Sequence, residues 1–278
     1  VLPLMGSKEG IMHISLAFLN PGDEVLIPNP GYPTYSSVTK LVEASPIFYD
    51  LNKENNWFPN LLDLEKKDLS RVKIMWINYP HMPTGSSATI NQFKDLIDFS
   101  KKYKILLIND NPYSFILNND FVSLLSIKNA KENCMELNSL SKAFNLSGWR
   151  VGMLLGSKEN ISSVLKVKSN MDSGMFYGIQ KGAIQALNLD NKWFDSLNVT
   201  YSKRRVLMWE LASILKCEVD KSSKGLFVWA KLPVGINSSE QFINNILTEK
   251  NIFITPGIIF GSNGEGYILS LIHISEPT

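Results

Sequence analysis

Four short apolar runs, each closed by a turn signal and set apart by long amphipathic or polar stretches, restrict the possible fold of this chain more than any other feature. Asp23–Ile27 ends at Pro28, Arg71–Ile77 is stopped by Asn78 and Pro80, and Lys104–Ile108 and Val151–Leu155 follow. Nearly continuous apolar runs of this length need cover on both faces, which is the situation of strands inside a parallel sheet. Between them, Ile90–Tyr103 sets Phe93, Leu96, Ile97 and Phe99 on nearly one side of a helix, with Asn91 and Asp95 near its start. This strand–helix rhythm predicts a doubly wound α/β domain with a large, mostly parallel sheet. Functional residues are then expected in loops beyond the carboxyl ends of the strands. After about residue 195 the pattern changes. A long helix over Tyr201–Leu215, strands over Leu226–Ala230 and Ile252–Ile254, and a helix over Glu240–Leu247 predict a smaller α+β domain. The expected division is 1–195 for the large domain and 196–268 for the small one.

Composition excludes more than it suggests. A formal net charge of +2 over 278 residues gives no electrostatic reason to expect nucleic acid or an anionic membrane as partner. No apolar run approaches the ~18 residues of a membrane-crossing helix. The opening residues, VLPLMG, have no charged region and too little apolar length for a signal peptide. Two cysteines, Cys134 and Cys217, cannot build a disulfide framework, so plain packing in a reducing cytoplasm is expected. A Gly-x-Gly-x-x-Gly fingerprint is absent, which argues against a nicotinamide enzyme.

The chemistry concentrates around one lysine. Ser139–Gly152 reads SLSKAFNLSGWRVG, placing Lys142 among hydroxyls, glycines and a single arginine, Arg150. A free lysine is almost wholly protonated at neutral pH, and an amine that is to form a Schiff base must lose that proton through burial or a cationic neighbour. Arg150 offers a permanent charge and a donor fork suited to a phosphate, and Ser139 and Ser141 add short hydroxyl donors. Separate segments carry further polar and aromatic groups. Gly6–Gly10, GSKEG, precedes the helical pattern Ile11, Ile14, Leu16, Ala17 and reads equally well as an anion site at a helix N-terminus or as a plain cap. Pro28–Tyr35, PNPGYPTY, holds Tyr32 on a path stiffened by three prolines. Asp110–Tyr113, DNPY, directly follows a predicted strand and on its own could be a turn in which Asp110 bonds its own backbone.

The lysine segment resembles the pyridoxal-phosphate signature of class I and II aminotransferases, closest to the aspartate, aromatic and LL-diaminopimelate types. The other segments occur in that family's order, and the resemblance spans residues 1 to 268. It implies the fold-type-I architecture and a transfer of an amino group between an L-amino acid and a 2-oxo acid through a Schiff base of pyridoxal 5′-phosphate on Lys142. It further implies that Gly6, Ser7, Lys8, Ser139 and Arg150 hold the phosphate, and that Tyr32 stacks on the cofactor ring. Asp110 would pair with the ring nitrogen and Tyr113 with the ring oxygen. No metal is implied, and a homodimer is. A C–S β-lyase or decarboxylase on the same scaffold, a pyridoxal-phosphate-sensing regulator domain and an inactive fragment are the competing readings.

Three departures stand out. Asn78–Gly85, NYPHMPTG, carries Met82 where the family has an asparagine that bonds the ring oxygen. That leaves Tyr113, with help from Asn78 or His81, to serve this oxygen, although His81 is expected to be structural. The chain opens almost at the phosphate segment, whereas family members first carry a long N-terminal segment. Leu269 follows GEGYI (Gly264–Ile268) where the family has an arginine for the substrate carboxylate, so residues 269–278 are expected to be a non-native tail that fits neither strand nor helix.

Overall fold

A computed structural model describes residues 1–272. In chain order the elements are β1 (Leu2–Leu4), α1 (Ser7–Phe18), β2 (Glu24–Asn29), α2 (Thr34–Leu41), β3 (Ser45–Asp50), α3 (Leu61–Leu64), β4 (Val72–Ile77), α4 (Ile90–Lys102), β5 (Leu106–Asp110) and β6 (Cys134–Ser139). There follow α5 (Leu140–Ala143), β7 (Gly152–Leu155), α6 (Lys158–Met171), α7 (Tyr177–Leu187), α8 (Asn191–Ile214), β8 (Glu218–Val219), β9 (Phe227–Lys231), α9 (Ser239–Lys250), β10 (Thr255–Pro256) and β11 (Tyr267–Leu271). Seven strands form one sheet in the order β1-β7-β6-β5-β4-β2-β3. β3, β2, β4, β5 and β6 run parallel.

The apolar runs become strands because each has two faces to bury. In β4, Ile74 and Trp76 enter the core on one side of the sheet, while Met75 and Ile77 enter the core on the other. Successive side chains alternate across a sheet, so an unbroken apolar run supplies both layers at once. Helix α4 covers one face with Phe93, Leu96, Ile97 and Phe99, all buried. Its start is fixed by a reciprocal capping box between Thr89 and Gln92, an arrangement worth about 1 kcal/mol.

Val151–Leu155 departs from the parallel expectation: β7 pairs antiparallel with both β6 and β1. The link between β6 and β7 holds only the one-turn helix α5, too little for the crossover that a parallel return requires.

Beyond α8, four strands form an antiparallel sheet in the order β10-β11-β9-β8. Ile252–Ile254 is not a strand; the pairing begins at Thr255, and Phe253 is exposed. Residues 269–271 correct the expectation of a tail without secondary structure. Leu269, Ser270 and Leu271 continue β11 opposite Trp229, Val228 and Phe227, and Leu269 is buried. Residues 273–278 of that predicted tail lie outside the described residues. The main core cluster runs without a break from β4 and α4 to Phe227, Trp229 and Leu269 of the second sheet. Both cysteines are buried and unpaired, and burial raises their thiols to about 12 for Cys134 and about 11 for Cys217. They are packing residues with little thiolate character. Among the described residues, no helix is long and apolar enough to cross a membrane.

Candidate active site

The carboxyl ends of the parallel strands meet at one edge of the large sheet. Asp110 is the last residue of β5, Ser139 the last of β6, and Asn78 follows β4 directly. From the other side come the N-terminus of α1 and the approach to β7. Together they wall a cavity of about 350 Å³. Ser7, Lys8, Tyr32, Asp110, Tyr113, Ser139, Lys142 and Arg150 all line it, so residues spread over more than 140 positions of sequence converge as the motifs suggest. Gly6 stands just behind the lining, against the Arg150 guanidinium.

The anion-facing end is set by backbone geometry. Gly6 caps α1 at φ +84° without any side-chain cap, leaving the first helical N–H groups free of a competing acceptor. A Cβ on Gly6 would lie 2.4 Å from Arg150 Nη2, and one on Gly152 would lie 2.6 Å from the Ser7 amide nitrogen. At Gly152 the neighbours are backbone atoms that cannot give way, so glycine there is what allows β7 to close on the start of α1; at Gly6 it is the positive φ that favours glycine. Arg150 itself takes a left-handed φ of +54° and donates from Nη1 to the Ser147 carbonyl at 3.0 Å.

Lys142 sits in the short helix α5, whose N-cap is Ser139 accepting from the Ser141 amide at 3.2 Å. Burial, and secondarily the Arg150 charge, hold its ammonium below the usual lysine range.

At the far end Asp110 is buried, and its carboxyl is raised from 3.8 to about 6 by burial, against a hydrogen bond from Tyr35 that lowers it. The Tyr35 hydroxyl donates to Asp110 Oδ2 at 3.0 Å, while Oδ1 is buried and, among the described residues, has no partner. This carboxylate does not cap its own turn. Tyr35 was the residue that the sequence did not single out. It lies three positions beyond Tyr32, stacks on Trp76 at 5.1 Å with rings 6° from parallel, and meets the Tyr32 ring edge-on at 5.6 Å. Tyr32 also lies 5.9 Å beneath the Lys8 ammonium.

The Met82 departure leaves its own arrangement. The Tyr113 hydroxyl points at Met82 Sδ, 3.7 Å away, a weak acceptor. Asn78 lines the cavity, but its amide is committed at both ends: Nδ2 donates to the Asp110 carbonyl, and Oδ1 accepts from the Met82 amide at 2.7 Å. His81 is buried away from the cavity with Nδ1 2.8 Å from Thr84 Oγ1, and burial lowers its pKa to about 3. It is a neutral structural residue. Asn78 and His81 therefore do not stand in for the expected asparagine, and Tyr113 is the O–H donor beside Met82.

Comparison with known proteins agrees with this geometry. The sequence profile described as Aminotransferase class I and II matches residues 1–268. LL-diaminopimelate aminotransferase of Aquifex aeolicus is 39% identical over 280 residues, covering 100% of this chain and 72% of that protein. The Dehalococcoides mccartyi enzyme of the same name is 40% identical over 270 residues, covering 96% and 69%. Among solved structures, apo-BacF from Bacillus subtilis superposes with a TM-score of 0.92 at 33% identity, covering 97% of this chain and 69% of its own. A probable N-succinyldiaminopimelate aminotransferase from Thermus thermophilus gives 0.91 at 28%, covering 98% and 73%. With these matches, a lysine whose pKa burial lowers and, in the same cavity, a carboxylate oxygen with no partner among the described residues, the chain belongs to the class I and II aminotransferases, enzymes that depend on pyridoxal 5′-phosphate.

Proposed function

We propose that Lys142 carries the cofactor and is the base of the transamination, with Asp110, Tyr113, Tyr32, Ser139, Arg150 and the Gly6–Lys8 turn as its binding set. The observation that carries this reading is the pairing of a depressed lysine with a buried carboxylate oxygen, Asp110 Oδ1, that has no partner among the described residues. An orphan carboxylate oxygen suits a protonated ring nitrogen, and the free amides of α1 with Arg150 suit a phosphate dianion. The residues present thus fit the group. When bound, pyridoxal phosphate supplies an electron sink for the substrate Cα.

The protein's own contributions follow from the geometry. Asp110 holds a positive charge at the ring nitrogen, and Tyr35 fixes the orientation of that carboxylate. The Tyr113 hydroxyl, which has only the weak Met82 Sδ acceptor, would be the donor to the cofactor's ring oxygen. Lys142 Nζ, whose proton is easier to lose because burial lowers its pKa, would accept a proton from the substrate Cα and deliver it to the cofactor's C4′ carbon. Arg150, Ser7, Lys8 and Ser139 anchor the phosphate so that this transfer occurs at fixed distance.

We take LL-diaminopimelate as the first amino donor to test, supported by the relatives of that name, with a 2-oxo acid as acceptor. A homodimer is part of the reading. It is supported by Phe176, Tyr177, Ile184 and Leu187, large apolar side chains on or beside α7 that are half or more exposed. The two sheets support the division into a large domain to about residue 195 and a small one after it, and the reduced cysteines fit a cytoplasmic setting.

Borohydride reduction of the cofactor-loaded protein followed by peptide mapping tests the assignment. A phosphopyridoxyl mass on the peptide holding Lys142, absent in Lys142→Ala, is expected. A label on another lysine overturns it. Pyruvate and ammonia released from cystathionine without any oxo acid would instead identify the lyase chemistry.

A further inference from the structure

Behind the phosphate end of the cavity, and outside its lining, a lysine is buried among acidic groups. Lys168 on α6 is 6% exposed, and its ammonium lies 3.3 Å from Glu9 Oε1 and 2.5 Å from Asp172 Oδ2. The same Glu9 oxygen lies 2.9 Å from His13 Nε2, while the other, Oε2, accepts from the Met5 amide at 2.5 Å. Asp172 Oδ1 in turn accepts from the Gly174 amide at 2.8 Å. Glu9, His13 and Asp172 bring their ligand-type atoms within 4.8 Å of one another, and the Lys168 ammonium is the cation between the two carboxylates.

Burying an ammonium is expensive unless it is fully paired, so such a group fixes the geometry of its partners closely. What it fixes here is the entry to α1. Glu9 belongs to the first turn of that helix, and its bond to the Met5 amide folds it back over the residue preceding Gly6. The clamp therefore sets the angle at which the Ser7 and Lys8 amides face the cavity, with Arg150 closing on Gly6 from the other side.

We propose that Lys168 is a positioning residue for cofactor phosphate, acting through Glu9 on the N-terminus of α1 and touching neither cofactor nor substrate. This rests on the reading that Ser7, Lys8 and Arg150 receive the phosphate. Its signature is selectivity: a tilted α1 weakens a ligand bearing phosphate and leaves the same ligand without phosphate almost unaffected. A general loss of packing would weaken both.

The test compares dissociation constants for pyridoxal 5′-phosphate and for pyridoxal, read by absorbance on cofactor-stripped protein, in wild type, Lys168→Met, Lys168→Arg and Arg150→Met. Circular dichroism melting serves as the control for folding. Lys168→Met is expected to weaken the phosphate-bearing ligand by about tenfold, with pyridoxal changed less than about twofold, and Lys168→Arg to restore most of the difference. Equal weakening of both ligands, or of neither, in Lys168→Met while Arg150→Met remains selective overturns the role of Lys168 alone. Loss of selectivity in Arg150→Met overturns the phosphate reading beneath it. If Lys168→Met does not fold, Asp172→Asn, which keeps the shape and removes one charge from the clamp, is held to the same comparison.

Discussion

Asp110→Asn separates the cost of burying a charge from the use to which that charge is put. Burial raises the Asp110 carboxyl from 3.8 to about 6, so the folded protein holds this proton more tightly than the unfolded chain does. The stability so contributed is fully present below the unfolded value and is lost as pH rises through about 6. A rise of about two units is worth about 3 kcal/mol in all, of which about 1 kcal/mol falls between pH 5 and pH 8. An amide carries no charge at either pH. In cofactor-stripped protein, the stability of Asp110→Asn relative to wild type should therefore be greater at pH 8 than at pH 5, by about 1 kcal/mol. Urea unfolding followed by far-ultraviolet circular dichroism at the two pH values measures this difference, and other titrating groups cancel between the proteins. The same substitution should weaken pyridoxal phosphate by about tenfold or more, because the ring nitrogen loses its anionic partner. A difference of zero would mean that this carboxylate is solvated, and one of opposite sign that its anion is already paired within the protein; either way the reasoning from its orphan oxygen would fail.

Gly152→Ala forces a Cβ to 2.6 Å from the Ser7 nitrogen and 2.9 Å from the Asn138 carbonyl, both backbone atoms. A stability loss of about 2 kcal/mol in thermal melts and weaker phosphate binding should follow together. Met82→Asn adds an amide donor beside the ring oxygen, drawing electron density from it. The pH at which the visible absorbance of the holoenzyme changes should fall by about one unit, as read by spectrophotometric titration. Leu269→Ala, inside β11 opposite Trp229, should cost about 2–4 kcal/mol in chemical denaturation, whereas a residue outside the sheet would cost almost nothing.

The large domain was legible where chemistry and local pattern coincide. Lys142, Asp110 and the glycine turn before α1 lie in short contiguous motifs, and for Asp110 and the glycine turn the strand end and the helix start are announced by their own neighbours. The capping of α4 by Thr89 and Gln92 is local in the same way. What the sequence concealed depends on distance. Tyr35 and Asp110 are 75 positions apart, and only packing against Trp76 turns the tyrosine hydroxyl toward the carboxylate. β6 escaped notice because a buried charge interrupts its apolar run. Glu136 is 4% exposed and takes hydrogen bonds from Asn109, Asn111, Asn138 and the Leu124 amide, a satisfaction that no periodicity displays. β3 carries a proline and the exposed residues Ser45, Phe48 and Asp50, which suit a sheet edge, and it is an edge strand. Ile252–Ile254 showed the converse, an apolar triplet with no strand to pair with.

The stack of Trp76 against Tyr35 has a further implication. One indole in the hydrophobic interior of the sheet supports the phenol that orients the Asp110 carboxylate, the group proposed above to meet the cofactor's ring nitrogen. On that proposal, electron demand at the reacting carbon is mechanically linked to an apolar side chain outside the cavity lining. An engineer who repacks this interior for heat resistance will retune the chemistry without altering a single group that contacts substrate.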